Sequence, residues 1–317
     1  MKYRVLISAP YFIPVIEKYT AFFKDNDIEV VSVPVKERLE EAELLKCIEG
    51  IDGAICGDDR FTARVLENAK NLKVISKWGT GIDSIDRVEA KRLGIEVCNT
   101  PGAFTNPVSD SVMAYVLAFA RQVFTMTENM RKGQWEKAMS ISLCECSIGV
   151  VGVGNVGRAV LRKAKAFDMK LYGNDMVAIP AEFIAETGVR MVSLDELLEK
   201  SDFISLNTDL NPTSFHLIDA PQFLKMKKSA FLINTSRGPV ICEPALCDAL
   251  QNQRIAGAAL DVFEVEPLPL ASPLLKFSNC FLAPHNSNCS PAAWERVHES
   301  TLKNLVTVLK RHRGVRD

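Results

Sequence analysis

The feature that most constrains this chain is the segment "SIGVVGVGNVGRAV" at residues 147–160. An apolar run that predicts a strand leads into Gly152-x-Gly154-x-x-Gly157, and a run that predicts a helix follows. Glycines at this spacing let the backbone turn tightly and approach a pyrophosphate, whose charge the helix N-terminus stabilises. The segment therefore predicts a strand, a glycine-rich turn and a helix that bind a dinucleotide.

A chain that only held a dinucleotide could begin with this turn, but here residues 1–146 come first. The 317 residues are enough for two domains with separate cores. In the first hundred residues, short runs rich in Val and Ile alternate with helical patterns such as "LEEAELLKCIE". Strands alternating with amphipathic helices indicate a parallel sheet covered on both faces. The strand runs are 3–10, 28–34, 53–57, 73–78 and 95–98.

A second domain of the same class begins near "NTPGAFTNPVSDSV", where Pro107 opens a long apolar helix that we expect at about 107–130. Seven strand-like runs follow, and the last segment, from Ser290, predicts an amphipathic helix that packs back on the first domain. We therefore expect an α/β protein with two doubly wound parallel sheets. A Rossmann NAD-binding domain (99–288) is inserted into a flavodoxin-like substrate domain (1–98 and 289–317), and the two chain crossings form a hinge.

Asp175 ends the strand after the glycine turn, at about the 20-residue interval expected for a ligand of the ribose. Its carboxylate can accept both ribose hydroxyls of NAD, whereas the 2′-phosphate of NADP would bring a second negative charge beside it. The adjoining "NDMVAIP" has no Lys or Arg to neutralise that charge. NAD is the cofactor we expect.

Composition excludes several classes of function. The net charge of −1 and a pI near 6.5 give no field that would collect nucleic acid or an anionic membrane. No apolar run suggests a signal peptide or a membrane span, so we expect a cytoplasmic protein. Nine scattered cysteines with no C-x-x-C pair indicate neither disulfides nor a metal site.

Three polar residues follow the predicted strands of the second domain, where ligands collect in such folds. Arg237 lies in "NTSRGPV", Glu266 in "DVFEVEP" and His285 at the end of "FLAPH". Each alone is more simply a surface or strand-end residue. Together, an arginine, a glutamate and a histidine at successive strand ends of a nucleotide domain predict a hydride-transfer site.

At these motifs the chain resembles the D-isomer-specific 2-hydroxyacid dehydrogenases, a family that includes D-3-phosphoglycerate, D-lactate and glycerate/hydroxypyruvate dehydrogenases. The resemblance runs nearly end to end, through "KWGTGIDSID", "GVVGVGNVGRA", "NTSRGPV", "LDVFEVEP" and "APHNSN". It implies the inserted domain arrangement, a 2-hydroxyacid or 2-oxoacid as substrate, and a homodimer joined through the nucleotide domain, including the helix at about 107–130.

The resemblance also assigns roles. Arg237 would hold the carboxylate and 2-oxygen of the substrate, His285 would act as acid and base, and Glu266 would orient the imidazole. The backbone N–H groups of a glycine-rich loop in the first domain would bind the carboxylate. That loop is Gly79, Thr80 and Gly81. The implied cofactor contacts are Gly152, Gly154, Asn155, Val156, Gly157, Asp175, Thr208, Thr235 and Asp261.

The substrate is the least determined feature. A phosphorylated acid needs basic donors beyond the carboxylate loop, and Arg60 and Lys77 are the candidates, although Asp58 and Asp59 oppose them. We lean to 3-phosphoglycerate/phosphohydroxypyruvate, with glycerate/hydroxypyruvate or another D-2-hydroxyacid as the alternative. An NAD-sensing scaffold without turnover is a further alternative, because such relatives can retain the catalytic residues. We assign no catalytic role to His216, His298 or His312.

Overall fold

The computed structural model describes residues 2–312, which divide into two compact units. The first unit contains the residues up to Phe104 and those from Ser290 onward, and the second spans Thr105–Cys289. Among the helices described, none is long and apolar enough to cross a membrane.

The first unit is built on a sheet of five parallel strands in the order β2-β1-β3-β4-β5. This is a doubly wound order of the flavodoxin type, and apolar residues of β1 and β3 are fully buried, as expected for a sheet covered on both faces. The strands are β1 Tyr3–Ile7, β2 Ile28–Ser32, β3 Gly53–Cys56, β4 Val74–Lys77 and β5 Glu96–Cys98. The helices are α1 Thr20–Asp25, α2 Glu41–Cys47, α3 Ala63–Asn68, α4 Arg87–Arg92 and, returning from the far end of the chain, α12 Pro291–His312; a 3-10 helix spans Ile13–Tyr19.

The second unit contains seven parallel strands in the order β12-β11-β10-β9-β6-β7-β8. The strands are β6 Ser147–Val151, β7 Lys170–Asn174, β8 Arg190–Met191, β9 Phe203–Leu206, β10 Phe231–Asn234, β11 Gly257–Leu260 and β12 Cys280–Leu282. The helices are α5 Thr105–Arg121, α6 Val123–Arg131, α7 Asn155–Ala166, α8 Ala181–Thr187, α9 Leu194–Lys200, α10 Ala220–Lys225 and α11 Glu243–Gln251. Two parallel α/β sheets are the fold class expected from the sequence, which is confirmed.

The long helix expected at about 107–130 is two helices, and that expectation was wrong. α5 ends at Arg121, and Gln122 takes a left-handed conformation (φ 50°) before α6 begins. The segment at residues 139–141 explains the break, because it forms hydrogen bonds with the last turn of α5. Ile141 N–H donates to Ala120 O at 2.9 Å, and the Gln122 amide donates to Met139 O at 2.6 Å.

Residues 99–104 remain with the first unit because several contacts hold them there. Thr100 N–H donates to Gly79 O at 2.9 Å, and the Asn304 side chain of α12 donates to Asn99 O at 3.0 Å. The Phe104 ring packs against Trp78, with centroids 5.7 Å apart. The chain therefore leaves the first unit after residue 104, a few residues past β5. Residues 99–104 help to fix the Gly79–Gly81 loop.

Candidate active site

The second unit has its topological switch point between β6 and β9. β6 is followed along the chain by its neighbour β7, whereas the chain returns to the other side of β6 for β9. Loops leaving the carboxyl ends of two such strands diverge and leave a crevice where ligands bind. The glycine turn follows β6 and Thr208 follows β9, so both motifs lie at this edge.

The glycine turn is packed so closely that only glycine fits at two of its positions. A Cβ on Gly152, whose φ is +86°, would lie 2.7 Å from Asn207 O, and a Cβ on Gly157 would lie 2.0 Å from Gly152 O. At Gly154 a Cβ would meet nothing within 4 Å, which leaves open space beside the first turn of α7. Asn155 and Val156 begin that helix. A helix N-terminus facing open space suits the pyrophosphate of a dinucleotide.

Asp175 follows β7, as expected, and its carboxylate is fixed by backbone donors. Oδ2 accepts from Val153 N–H at 2.6 Å and Oδ1 from Val177 N–H at 3.0 Å. The nearby Arg158 is directed elsewhere, because its Nε donates to Val153 O at 3.0 Å and its guanidinium lies over the Phe183 ring. An arginine beside the Asp175 carboxylate would favour the 2′-phosphate of NADP. No described contact brings Arg158 to that carboxylate.

Two hydroxyl groups at the carboxyl ends of β9 and β10 are buried without a partner among the residues described. They belong to Thr208 and Thr235, which the resemblance places at the cofactor. A buried hydroxyl without a hydrogen bond costs free energy. These hydroxyl groups are therefore suited to form hydrogen bonds with the cofactor. Together with the glycine turn and Asp175, they fit NAD.

Asp261, at the end of β11, anchors the loop that carries His285, the histidine predicted to act as acid and base. Its buried carboxylate accepts from the N–H groups of Asn286 at 2.7 Å and Ser287 at 2.9 Å, and its own backbone carbonyl accepts from His285 N–H at 2.8 Å. Burial raises the pKa of Asp261, while the two N–H donors oppose the rise. The resemblance implied only a cofactor contact for Asp261, and this anchoring was not expected from the sequence.

Glu266 and His285 form a hydrogen-bonded pair at partly buried positions. Glu266 Oε2 lies 3.0 Å from His285 Nδ1, and Glu266 Oε1 accepts from Phe263 N–H at 2.9 Å. A carboxylate only accepts, so Nδ1 carries the proton. Nε2 is therefore the nitrogen that we expect to exchange a proton with a substrate.

Arg237 follows β10 in a segment whose backbone touches the Glu266 loop. A Cβ on Gly238 would lie 1.9 Å from the carbonyl carbon of Phe263, so glycine is required where the two segments cross. The Arg237 carbonyl accepts from the buried Asn234 amide at 2.9 Å, and Nη1 of Arg237 donates to Ser236 O at 3.0 Å. These contacts place the three predicted catalytic residues on adjoining loops at one edge of the sheet.

In the first unit, the Gly79–Gly81 loop follows β4, as expected. The residue before Trp78 is Lys77, whose ammonium is almost wholly buried and lies 3.0 Å from Asp58 Oδ1. Asp59 is also buried, accepts from the Ser8 hydroxyl and from Leu39 N–H, and has a pKa raised by burial. Arg60, the next residue along the chain, is partly buried.

The sequence patterns assigned no chemistry to His216, but the structure joins it to the loop that contains Glu266. His216 Nε2 lies 2.9 Å from Oε1 of Glu264, two residues before Glu266. The spacing of two glutamates in "FEVEP" was the available signal, since a second acidic residue in that loop suggests a second partner. Which histidine would meet it could not be read from the sequence.

A family model for the D-isomer-specific 2-hydroxyacid dehydrogenases, NAD-binding domain, matches residues 113–287. A glyoxylate reductase of Thermofilum pendens is 41% identical over 278 residues, which cover 84% of this chain and 81% of that protein. A D-3-phosphoglycerate dehydrogenase of Methanocaldococcus jannaschii is 36% identical over 286 residues, covering 89% of this chain and 54% of that protein.

Among solved structures, the D-lactate dehydrogenase of Aquifex aeolicus in complex with NAD and lactic acid superposes with a TM-score of 0.88. It is 25% identical, and the match covers 98% of this chain and 96% of that one. The similarity therefore extends over both units.

Proposed function

The chain belongs to the D-isomer-specific 2-hydroxyacid dehydrogenases, NAD-dependent enzymes that act on CH–OH donors, and we propose that it reduces a small unphosphorylated 2-oxoacid. Glyoxylate and hydroxypyruvate are the substrates of this type that we favour. The reaction joins one hydride and one proton to the C=O group and yields a 2-hydroxyacid.

Each proposed catalytic residue performs one part of this reaction. Bound NADH supplies the hydride. Arg237 holds the carboxylate and the 2-oxygen with its planar donor fork, which fixes the face of the carbonyl that receives the hydride. His285 in its doubly protonated form, with Nδ1–H held by Glu266, gives the proton on Nε2 to the carbonyl oxygen as negative charge develops there. In the oxidation direction it takes that proton back.

The proposed cofactor and carboxylate contacts complete this assignment. For the cofactor they are the glycine turn, Asp175, Thr208 and Thr235, with Asp261 acting on the loop of His285. The backbone N–H groups of Gly79, Thr80 and Gly81 stay our proposed ligands for the substrate carboxylate.

The observation that carries the choice of an unphosphorylated substrate is the ion pair of Lys77 and Asp58. Lys77 is the cation nearest the Gly79 loop along the chain, and a Cβ on Gly79 would lie 3.8 Å from its Nζ. Its charge is already neutralised by Asp58 at 3.0 Å, and Asp59 adds a further carboxyl group. A phosphate carries nearly two charges and needs uncompensated donors. Lys77, Asp58 and Asp59 together therefore supply no net positive charge for a phosphate.

Phosphohydroxypyruvate, the substrate toward which the sequence leaned, is the second candidate. Arg60 favours it, because this side chain follows β3 and is only partly buried. The similarity to the M. jannaschii phosphoglycerate dehydrogenase favours it too, although this chain spans only 54% of that protein's length.

The test compares kcat/KM for glyoxylate, hydroxypyruvate, pyruvate and phosphohydroxypyruvate with NADH, in the wild type and in Arg60→Ala. We expect an unphosphorylated acid to be the best substrate and Arg60→Ala to leave its kcat/KM unchanged. A preference for phosphohydroxypyruvate that Arg60→Ala abolishes would instead establish the second candidate. Arg64→Ala is a matched control, because Arg64 is an exposed arginine that pairs with Glu41.

We also propose that the chain forms a homodimer through the second unit. The segment from Val123 to Ile141 exposes six large apolar side chains, and a concentration of exposed apolar surface is typical of protein–protein interaction sites. They are Val123, Phe124, Met130, Trp135, Met139 and Ile141. Sedimentation equilibrium of the wild type and of Trp135→Ser with Met139→Ser tests this; a wild-type monomer at micromolar concentration would reject it. A cytoplasmic location stays a prediction.

A further inference from the structure

Outside the catalytic pair, His216 and Glu264 form a second histidine–carboxylate pair in the same unit. Nε2 of His216 lies 2.9 Å from Oε1 of Glu264, and both side chains are about two-thirds buried, with 31% and 27% exposure. Since a carboxylate only accepts, His216 donates through Nε2–H. The pair is therefore a directional bond between the loop after β9 and the loop after β11.

Glu264 also forms hydrogen bonds with Glu243, the first residue of α11. Its Oε1 also accepts from Glu243 N–H at 3.1 Å, and its own N–H donates to Glu243 Oε1 at 2.6 Å. Burial is the main cause that raises the pKa of Glu243, and the carboxylates of Glu264 and Glu266 add to it. The glutamate-rich loop therefore gathers like charges, and the donors that meet Glu264 in it are His216 and the Glu243 backbone.

His216 is itself fixed to the segment that carries Arg237. Its backbone is left-handed, with φ 48°, and its N–H donates to Pro239 O at 2.8 Å. Two residues later Ile218 forms a parallel bridge with Ile241. A left-handed conformation is unfavourable for a non-glycine residue, so surrounding bonds must hold it.

We propose that His216 is a positioning residue for the reaction. Through Glu264 it fixes the loop in which Glu266 meets His285, and through Pro239 it fixes the segment that presents Arg237. One imidazole thus sets the relative position of the groups that hold the carboxylate and move the proton. The inference rests on the proposed roles of Arg237, Glu266 and His285.

The test compares two variants of His216. Both place a non-glycine residue in the left-handed backbone conformation, but only one keeps a side-chain hydrogen-bond donor for Glu264. His216→Leu removes the donor, whereas His216→Gln has an amide that reaches the same carboxylate. With glyoxylate or whichever 2-oxoacid the wild type reduces best, we expect His216→Leu to lower kcat by roughly 10- to 100-fold, the cost of a small misplacement of catalytic groups. We expect His216→Gln to retain most of kcat.

NADH binding, measured by fluorescence titration, provides a readout that a general folding defect would also change. We expect the NADH Kd to be the same in the wild type, His216→Leu and His216→Gln, because the glycine turn and Asp175 make no described contact with His216. Wild-type kcat in His216→Leu would overturn the proposal. So would a His216→Gln variant as slow as His216→Leu, since ring packing rather than the donor would then matter.

A second pair of variants keeps the proposal testable if the His216 variants do not fold. Glu264→Gln keeps an acceptor for His216 and should keep most of kcat, whereas Glu264→Leu should lose as much as His216→Leu. Combining both leucine substitutions should cost no more than Glu264→Leu alone, and additive losses would contradict the coupling. His285→Ala in parallel separates the failures: full activity in that variant would refute the role given to His285, whereas a wild type that turns over no 2-oxoacid would refute the proposed function itself.

Discussion

Glu266 and His285 are joined by a hydrogen bond of 3.0 Å between Oε2 and Nδ1, while the second carboxylate oxygen of Glu266 accepts from the Phe263 backbone. The bond places a proton on Nδ1, and Nε2 is the nitrogen that we propose meets the substrate. The carboxylate is itself held by the chain, so the histidine is oriented by the backbone of a loop rather than by a mobile side chain.

His285→Ala should lower kcat by roughly 10²- to 10⁴-fold, the usual contribution of a positioned acid or base. Glu266→Gln should lower it less, because the imidazole remains and only its orientation is weakened. Steady-state kinetics with NADH and the best 2-oxoacid measure both effects. The NADH Kd of each variant should match the wild type, and near-normal turnover in His285→Ala would show that another group supplies the proton.

Arg237→Ala should mainly impair use of the 2-oxoacid. A charge-assisted hydrogen bond contributes about 1.5–3 kcal/mol, so kcat/KM for the oxoacid should fall by at least about tenfold. Arg237→Lys is the matched control, since it keeps the charge and loses the planar fork, and we expect it to recover only part of the loss. A defect confined to NADH binding would contradict the role given to Arg237.

Asp175 should make the enzyme prefer NADH to NADPH. Backbone N–H groups of Val153 and Val177 hold its carboxylate, where it would repel a 2′-phosphate. Asp175→Ser should raise the ratio of kcat/KM with NADPH to that with NADH, chiefly by weakening NADH. If the wild type uses NADPH equally well, the ribose assignment is wrong.

His298 should make the first unit less stable at mildly acid pH. Trp78 Nε1–H, which can only donate, gives a hydrogen bond of 2.9 Å to His298 Nδ1, so this nitrogen is unprotonated in the fold. Burial lowers the pKa of His298 and outweighs the opposing effect of Glu295. The unfolded chain therefore binds more protons. The stability contribution is complete above the unfolded pKa of about 6.5 and is lost progressively as the pH falls from there through the lower pKa of the folded state.

The measurement for His298 is the free energy of unfolding in urea at pH 7.5 and pH 5.5. The wild type should lose more stability between these values than His298→Asn, which keeps an acceptor near Nδ1 but does not titrate. Equal losses in the two proteins would assign the acid sensitivity to other groups.

Several features of this protein could be predicted from short segments alone. The glycine turn, its flanking strand and helix, and Asp175 one strand later depend on residues close in sequence, and strand patterning established two parallel sheets. The strand-end positions of Arg237, Glu266 and His285 could also be read from the chain, because parallel strands bring their carboxyl ends to one edge. The cofactor NAD and the dehydrogenase class followed from these residues and the resemblance they carry, and both are confirmed.

Other features depend on contacts between residues far apart in sequence, and only the tertiary structure decided them. The break at Gln122 requires the segment at 139–141, whose pairing with α5 no helical periodicity records. The sequence showed Lys77 and Asp58 as separate charges, and their contact neutralises one of the two cations that could bind a phosphorylated substrate. His216 meets Glu264 across 48 residues because their loops cross at the same edge of the sheet. A sequence shows which groups are present and which local structure they favour. The partner of a charged side chain depends on how segments far apart in sequence pack together.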